Sequence, residues 1–386
     1  MSAALLLLAL AAHGLADRRM TSPVGARQST DVAGLPGVGC VCVPYYQCED
    51  SPNVNRGDID IIDIRDNDDR CSHYLDVCCK SLKMRPSPGG SQPSTEFPHP
   101  TPPPSQQPCG QRSPGGVGFR ITGGDSGEAQ FGEFPWMVAI LEQRRVAGID
   151  RPINAYLCGG ALILAQVVIT AAHCIAGKDP AQLWVRAGEW DTQTTKELYP
   201  HQDRKGAQVI AHPRYRPRTL HNDVALLVML DPVRLGGHVG LVCLPPQGQP
   251  FDRSRCTASG WGKDKFEQDG QYKVIMKKRD LPVIPNPECQ ALLRKTRLGA
   301  HFLLDASFIC AGGKSGQDTC TGDGGSPLVC PTDRDPGRYY QAGIVAWGID
   351  CGRAGTPGVY VSVARYRDWI DSEMSRLRVD TSGYEA

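Results

Sequence analysis

Short apolar runs set off by glycine, proline and charged residues recur through the second two-thirds of the chain: 136–141 (WMVAIL), 161–164 (ALIL), 167–170 (VVIT), 224–228 (VALLV) and 341–347 (QAGIVAW). Runs this short, rich in β-branched and aliphatic residues, predict β-strands, and their close spacing is that of a sandwich or barrel. Near the C-terminus the period changes. Val363, Tyr366, Trp369, Ile370, Met374 and Leu377 recur at helical spacing and predict one amphipathic helix closing the domain. At the other end residues 1–12 are almost wholly apolar, and His13-Gly-Leu-Ala16 offers small residues where a signal peptidase reads. Residues 1–16 are therefore expected to be a secretory leader, too short for a membrane span of about 20 residues.

Between the leader and the strand-rich part the pattern breaks twice. Residues 58–70 (DIDIIDIRDNDDR) alternate isoleucine and aspartate, as on a strand with one wet face. They lie among Cys40, Cys42, Cys48, Cys71, Cys78 and Cys79. So small a segment buries too little apolar surface to fold unaided and needs bridges. Residues 81–108 are dense in proline, serine and glutamine and nearly free of aliphatic side chains, which suits an extended spacer. The expected organisation is a leader (1–16), an extension (17–39), a small disulfide domain (40–79), a linker (80–108), a connecting segment (109–120), a main domain (121–371) and a tail (372–386).

Composition narrows the classes of function. The chain has 386 residues, 40% of them hydrophobic, and 42 basic against 41 acidic side chains leave a formal charge of +1. No overall field draws such a chain to nucleic acid or to an anionic membrane, so partners are recognised by local surfaces. Sixteen cysteines behind an apolar leader point to disulfides in an oxidising compartment and away from a cytosolic enzyme.

Three motifs carry the chemistry. Thr170-Ala-Ala-His173-Cys174 sets a histidine beside a cysteine. Fifty residues on, Asn222-Asp223 puts a carboxylate at the mouth of an apolar strand, where burial requires a donor such as an imidazole N–H. Residues 316–330 (GQDTCTGDGGSPLVC) form a glycine-rich turn between two cysteines. In this order, with Arg120-Ile121-Thr-Gly-Gly124, Phe134-Pro-Trp136, the 256–262 segment (CTASGWG) and Trp347-Gly348, they resemble the trypsin and chymotrypsin family over residues 121–371. The resemblance implies an all-β fold, a double β-barrel with a C-terminal helix. It also implies the disulfides Cys158–Cys174, Cys256–Cys330, Cys289–Cys310 and Cys320–Cys351, with Cys109–Cys243 tying the upstream chain to the barrels.

The family's loop reads Gly-Asp-Ser-Gly-Gly-Pro, whereas this chain reads Gly322-Asp323-Gly324-Gly325-Ser326-Pro327. Glycine stands at the nucleophile position, so the triad remnants His173 and Asp223 have no hydroxyl to activate, a loss of roughly 10⁶ in turnover. Ser326 lies two residues away, about 6–7 Å along an extended chain, where attack requires about 3–3.5 Å. Ala346 replaces the serine that usually precedes Trp-Gly. The primary pocket is less altered: Asp318 matches the residue that selects lysine or arginine, and Gly348 and Gly358 match the small residues of its walls. The N–H groups of Gly322 and Gly324 match an oxyanion nest. Glu189, Asp191, Thr194 and Glu197 match the loop that binds calcium in many members, so calcium is the one cofactor the resemblance implies.

The six-cysteine segment resembles the clip domain of arthropod haemolymph proteases, whose connectivity implies Cys40–Cys78, Cys42–Cys71 and Cys48–Cys79. Clip module, spacer and a protease-like domain with Gly324 together resemble the clip-domain serine protease homologues. That resemblance implies a secreted haemolymph protein without proteolytic activity. It would act after cleavage by an upstream protease, as a cofactor of prophenoloxidase and its activating clip protease in melanization and innate immunity, with oligomers a further expectation after cleavage. Arg120-Ile121 is the cleavage candidate that creates a new barrel terminus pairing with Asp323; Arg112 and the linker's Arg85 are alternatives that do not. A second reading is recognition of microbes or cells, through the clip module, the basic 277–279 segment (KKR) or Arg56-Gly57-Asp58. An active trypsin-like hydrolase is the third class, which Gly324 argues against.

Overall fold

The structure, a computed structural model, describes residues 108–117, 127–145, 152–193, 197–262, 275–313, 323–332, 335–349 and 355–386, and the backbone of three N-terminal strands. These strands are β1 (Val41–Pro44), β2 (Ile61–Ile62) and β3 (Asp76–Cys79). β1 and β3 form an antiparallel ribbon in which Cys42 lies opposite Cys78, and β2 runs parallel to the start of β5 (Ile153–Leu164).

The apolar runs become two barrels. In the first, β4 (Met137–Arg144), β5, β6 (Val167–Thr170), β7 (Leu183–Ala187), β8 (Gln202–Ala211) and β9 (Ala225–Met229) pair in the order β5-β4-β7-β8-β9-β6, and β6 pairs back to β5 to close the ring. The second is the closed barrel β10-β11-β12-β15-β14-β13, from β10 (Arg255–Gly260), β11 (Lys277–Ile284), β12 (Phe308–Gly312), β13 (Pro327–Pro331), β14 (Tyr339–Trp347) and β15 (Pro357–Ser362). All four residues of β6 are buried, which is why that strand reads as a continuous apolar run, whereas β8, polar over its first four residues, is mostly half-exposed. Trp136, Ile140, Leu162 and Ile169 are fully buried in a core shared with Phe308, Ile344 and Ile370. Each such side chain contributes about 1.5–3 kcal/mol.

After the short helices α1 (Ala172–Ile175) and α2 (Asn286–Leu293), the helical period at the C-terminus resolves into a 3₁₀ turn (Val363–Tyr366) followed by α3 (Arg367–Leu377). Ile370 and Met374 point into the core, and Arg378, in the left-handed conformation, ends the helix. The domain boundary expected at residue 371 falls inside α3, and residues 372–386 are not a free tail. The Tyr384 ring is fully buried, its hydroxyl donates to Asp371 (2.7 Å), and Leu244 N–H donates to the Tyr384 carbonyl (3.0 Å). Burying that ring gains more than a short polar terminus loses on ordering, and no periodicity signals this.

Among the described residues four disulfides are present: Cys109–Cys243, Cys158–Cys174, Cys256–Cys330 and Cys289–Cys310. Cys320–Cys351 and the three clip bridges fall outside the described side chains, as do Arg56-Gly57-Asp58, Arg85, Arg120, Ile121, Thr194, Asp318 and Gly322.

Candidate functional site

His173 sits on α1 (Ala172–Ile175), the single turn that follows β6. Asp223 enters β9 from a tight corner in which Leu220 and Asn222 both take positive φ, at 56° and 55°. Asn222 holds that corner: its Nδ2 donates to the Arg214 carbonyl (2.9 Å), and its Oδ1 accepts from the Tyr366 hydroxyl (3.0 Å). The turn aims a fully buried carboxylate at the histidine. Asp223 Oδ1 accepts the His173 backbone N–H and Oδ2 meets Nδ1, both at 2.7 Å. The Cys158–Cys174 bond anchors α1 to β5.

The loop that carries Gly324 is equally well fixed. Gly159 N–H donates to the Gly324 carbonyl, Gly325 N–H to the Val345 carbonyl, and Ser326 N–H to the Asp323 carbonyl, each at 2.9 Å. Gly325 has φ of +79°, and a Cβ there would lie 2.5 Å from the Gly159 carbonyl oxygen, so only glycine fits. Gly324 faces the histidine: a Cβ at this position would stand 2.9 Å from His173 Nε2. The imidazole thus occupies space that a side chain at 324 needs, and its two bonds to Asp223 hold it there. Ser326 is turned away from this corner. Its side chain is fully buried against the backbones of Gly159 and Gly260, and its hydroxyl has no hydrogen-bond partner. Ala346, buried in β14, brings no hydroxyl to the corner. Asp323 accepts from Gly262 N–H at 2.8 Å.

Of the primary pocket, Gly348 is exposed with open space about its Cα, and Gly358 is buried in β15 opposite Ala311. Phe308 and Phe302 stand edge-on to Trp347, with ring centroids 6.0 and 6.2 Å away.

The calcium-loop set is partly rearranged. Glu189, Glu197 and His201 bring ligand atoms within 4.8 Å of one another. Asp191 turns instead onto its own loop, accepting from Gln193 N–H at 3.0 Å, because the two-residue Asx turn satisfies it locally. His201 was not visible as a member from sequence. It arrives through the register of β7 and β8, where Arg186 lies opposite Asp203 and Ala187 opposite Gln202. Burial and the adjacent Glu197 hold the Glu189 carboxyl well above its usual range, while Arg186 Nη1, 3.3 Å from Glu189 Oε2, pulls the other way. Burial, then Arg186, lowers His201 to about 4, so its imidazole is neutral at pH 7. Glu197 Oε2 is buried without a hydrogen-bond partner. Two facing carboxylates, an orphaned oxygen and a neutral imidazole fit a divalent cation.

Arg112, an alternative cleavage candidate, has its side chain engaged. It donates to Glu133 Oε1 through Nε (3.1 Å) and Nη2 (2.7 Å) and to the Tyr339 hydroxyl (3.1 Å), with its guanidinium 4.7 Å from the Phe134 ring centre. Burial alone disfavours its charge, but the bonds to Glu133 and Tyr339 outweigh this and raise its pKa. A protease would have to draw it out of this socket. The basic 277–279 segment is likewise engaged, since Lys277 binds Glu128 and Lys278 binds Glu133, both at 2.7 Å.

A histidine paired to a buried aspartate between two six-stranded barrels, facing a glycine loop, defines a trypsin-like protein. Residues 121–370 match the family Trypsin, and residues 31–80 match the Serine protease Clip domain PPAF-2 family. The chain belongs to the trypsin family and carries a clip domain. It is 52% identical to phenoloxidase-activating factor 2 of Galleria mellonella, over 75% of this chain and 97% of that protein. It is 41% identical to the inactive CLIP domain-containing serine protease A28 of Anopheles gambiae, over 81% of this chain and 80% of that protein. With inactive CLIP domain-containing serine protease A8 of the same species the identity is 36%, over 93% and 95%. It is therefore similar to clip-domain serine protease homologues, several of them named inactive.

Proposed function

We propose that this chain is a secreted serine protease homologue without hydrolytic activity. Once cleaved, it acts as a cofactor when an active clip protease converts prophenoloxidase in melanization. The observation that carries this reading is Gly324: the loop that should present a nucleophile to His173 has none, and the Ser326 hydroxyl of the same loop is buried against Gly159 and Gly260. The names of the relatives support the setting, phenoloxidase activation, and the reading as an inactive clip-domain homologue. Among the described residues no helix is long and apolar enough to cross a membrane. Cleavage falls after Arg120 rather than Arg112, whose side chain is socketed. The new Ile121 amino group then joins Asp323, and the Cys109–Cys243 bond keeps the clip-bearing segment attached. Assembly into oligomers follows the cut.

The test is reconstitution of prophenoloxidase and its activating protease with this chain, intact or cut, beside an assay on arginyl peptide substrates. Phenoloxidase activity that rises only with the cut form, without peptide hydrolysis by the chain alone, is expected. Hydrolysis would overturn the inactive reading, and silence in both assays would move the function to recognition of microbes or cells.

We further propose that Glu189 and Glu197, with neutral His201 beside them, hold calcium. The ion would supply the positive charge that Glu197 Oε2 lacks and so stiffen the loop. Saturating calcium should raise the midpoint of thermal unfolding by about 2–4 °C over chelator, and Glu197→Gln should abolish the shift. An unchanged midpoint in the wild-type chain would exclude the ion.

A further inference from the structure

Beside the corner that carries Asn222 lies an open cavity of about 410 Å³ whose wall includes Arg214, Arg216, Arg365, Tyr215, His221 and Asp305. Elsewhere among the described residues Arg112, Arg186, Arg253, Arg367 and Arg376 each hold a carboxylate. The guanidinium groups of Arg214, Arg216 and Arg365 have no hydrogen-bond or ion-pair partner among the described residues, and all three are exposed. Against a formal charge of +1 for the whole chain, this is a local excess that one carboxylate offsets only in part. The single carboxylate in the wall, Asp305, lies 3.5 Å from His221 Nδ1 and keeps a side chain 37% exposed.

The wall is preformed. Arg216 N–H donates to the His221 carbonyl (3.0 Å), Leu220 N–H to the Arg216 carbonyl (2.8 Å), and Asn222 ties the Arg214 carbonyl to Tyr366. A site built on such a hydrogen-bonded corner loses little entropy when it is filled.

Guanidinium forks match sulfate, phosphate and carboxylate groups in two-point geometry. An acidic peptide docking in a groove relies on apolar anchors in addition to charge, and here the wall offers only Pro213 and the Tyr215 ring for that purpose. An exposed carboxylate among arginines instead suits a ligand that carries hydroxyl donors as well as acidic groups. The volume lies within the range of small-ligand sites. We propose that this cavity binds an acidic saccharide: its sulfate or phosphate esters meet Arg214, Arg216 and Arg365, its hydroxyls donate to Asp305, and a ring lies against Tyr215. Such chemistry has two sources, sulfated host glycans and phosphate-bearing microbial polymers.

The experiment titrates the intact chain with a heparin-derived hexasaccharide, with a mannan fragment bearing phosphate esters, with neutral maltohexaose and with poly-glutamate, at low and at physiological salt. One acidic saccharide, or both, should bind and weaken with salt, and the one that binds identifies the source. The triple variant R214E/R216E/R365E should lose at least about tenfold in affinity, whereas Arg255→Glu, exposed on β10, should change nothing. Replacing the same three residues by lysine keeps the charge but removes the fork, and should weaken binding about threefold or more; this variant decides the matter if the glutamate triple fails to fold. Binding of neither acidic saccharide, binding that the triple variants retain, or equally tight binding of poly-glutamate lost in the same variants would each overturn the proposal. The last result would assign the cavity to an acidic protein segment.

Discussion

Two charged corners of the first barrel invite comparison. At one, His173 and Asp223 keep both hydrogen bonds of a catalytic pair, yet the residue they would serve is Gly324. At the other, Glu133, fully buried, is held by Arg112, Lys278 and the Gln130 N–H. The first looks like a reaction centre and the second like a rivet, but burial governs both. A carboxylate taken out of water must keep its donors, so Asp223 retains His173 whether or not chemistry follows. A serine hydroxyl at the edge of a groove answers to no such constraint, and replacing it by glycine leaves no buried group unpaired. Geometry at the histidine therefore testifies to packing, and only position 324 testifies to chemistry.

The sharpest way to break this comparison is at Glu133. Glu133→Ala strands two half-buried cations and frees the segment that Cys109–Cys243 tethers, and should cost about 3–5 kcal/mol in urea unfolding. Arg112 should then become susceptible to trypsin in the folded protein. A loss under 1 kcal/mol would show that the corner is a surface decoration. Asp223→Ala should come next, at about 2–3 kcal/mol, because it orphans the His173 backbone N–H and leaves the imidazole unheld. If that substitution were free, the pair would owe its geometry to something other than burial.

Much of this was legible in the sequence, and the boundary is physical. Strands β4, β6, β9 and β14 appear as apolar runs because their side chains are buried on one or both faces. Gly324 is legible because its neighbours keep their order. The socket of Arg112 is not, since Glu133 lies 21 residues from Arg112 and 145 from Lys278 and no local period links them. His201 reaches Glu189 only through the register of β7 and β8. Arg365 joins Arg214 across the length of the second barrel, and an exposed arginine reads from sequence as a solvated one. The C-terminal tail hides its role for a similar reason, because one aromatic ring, Tyr384, does the docking and a single residue has no pattern.

The smallest expected change is also the one that bears most directly on function. Gly324→Ser restores the family's hydroxyl to the loop, yet the new Cβ would lie 2.9 Å from His173 Nε2. The ring cannot swing aside without giving up Nδ1 to Asp223, and the loop cannot retreat without breaking the bonds of Gly324, Gly325 and Ser326 to β5 and β14. The strain should therefore be shared, at about 1 kcal/mol of lost stability, typical of a small overpacking. With the imidazole displaced and Ala346 in place of a hydroxyl, arginyl substrates should remain uncleaved. Turnover well above background in the cut variant would mean that the His173 corner has stayed poised for catalysis and that one substitution separates it from an enzyme. Its absence, with the stability loss observed, would mean that the corner has settled around glycine and now serves the fold alone.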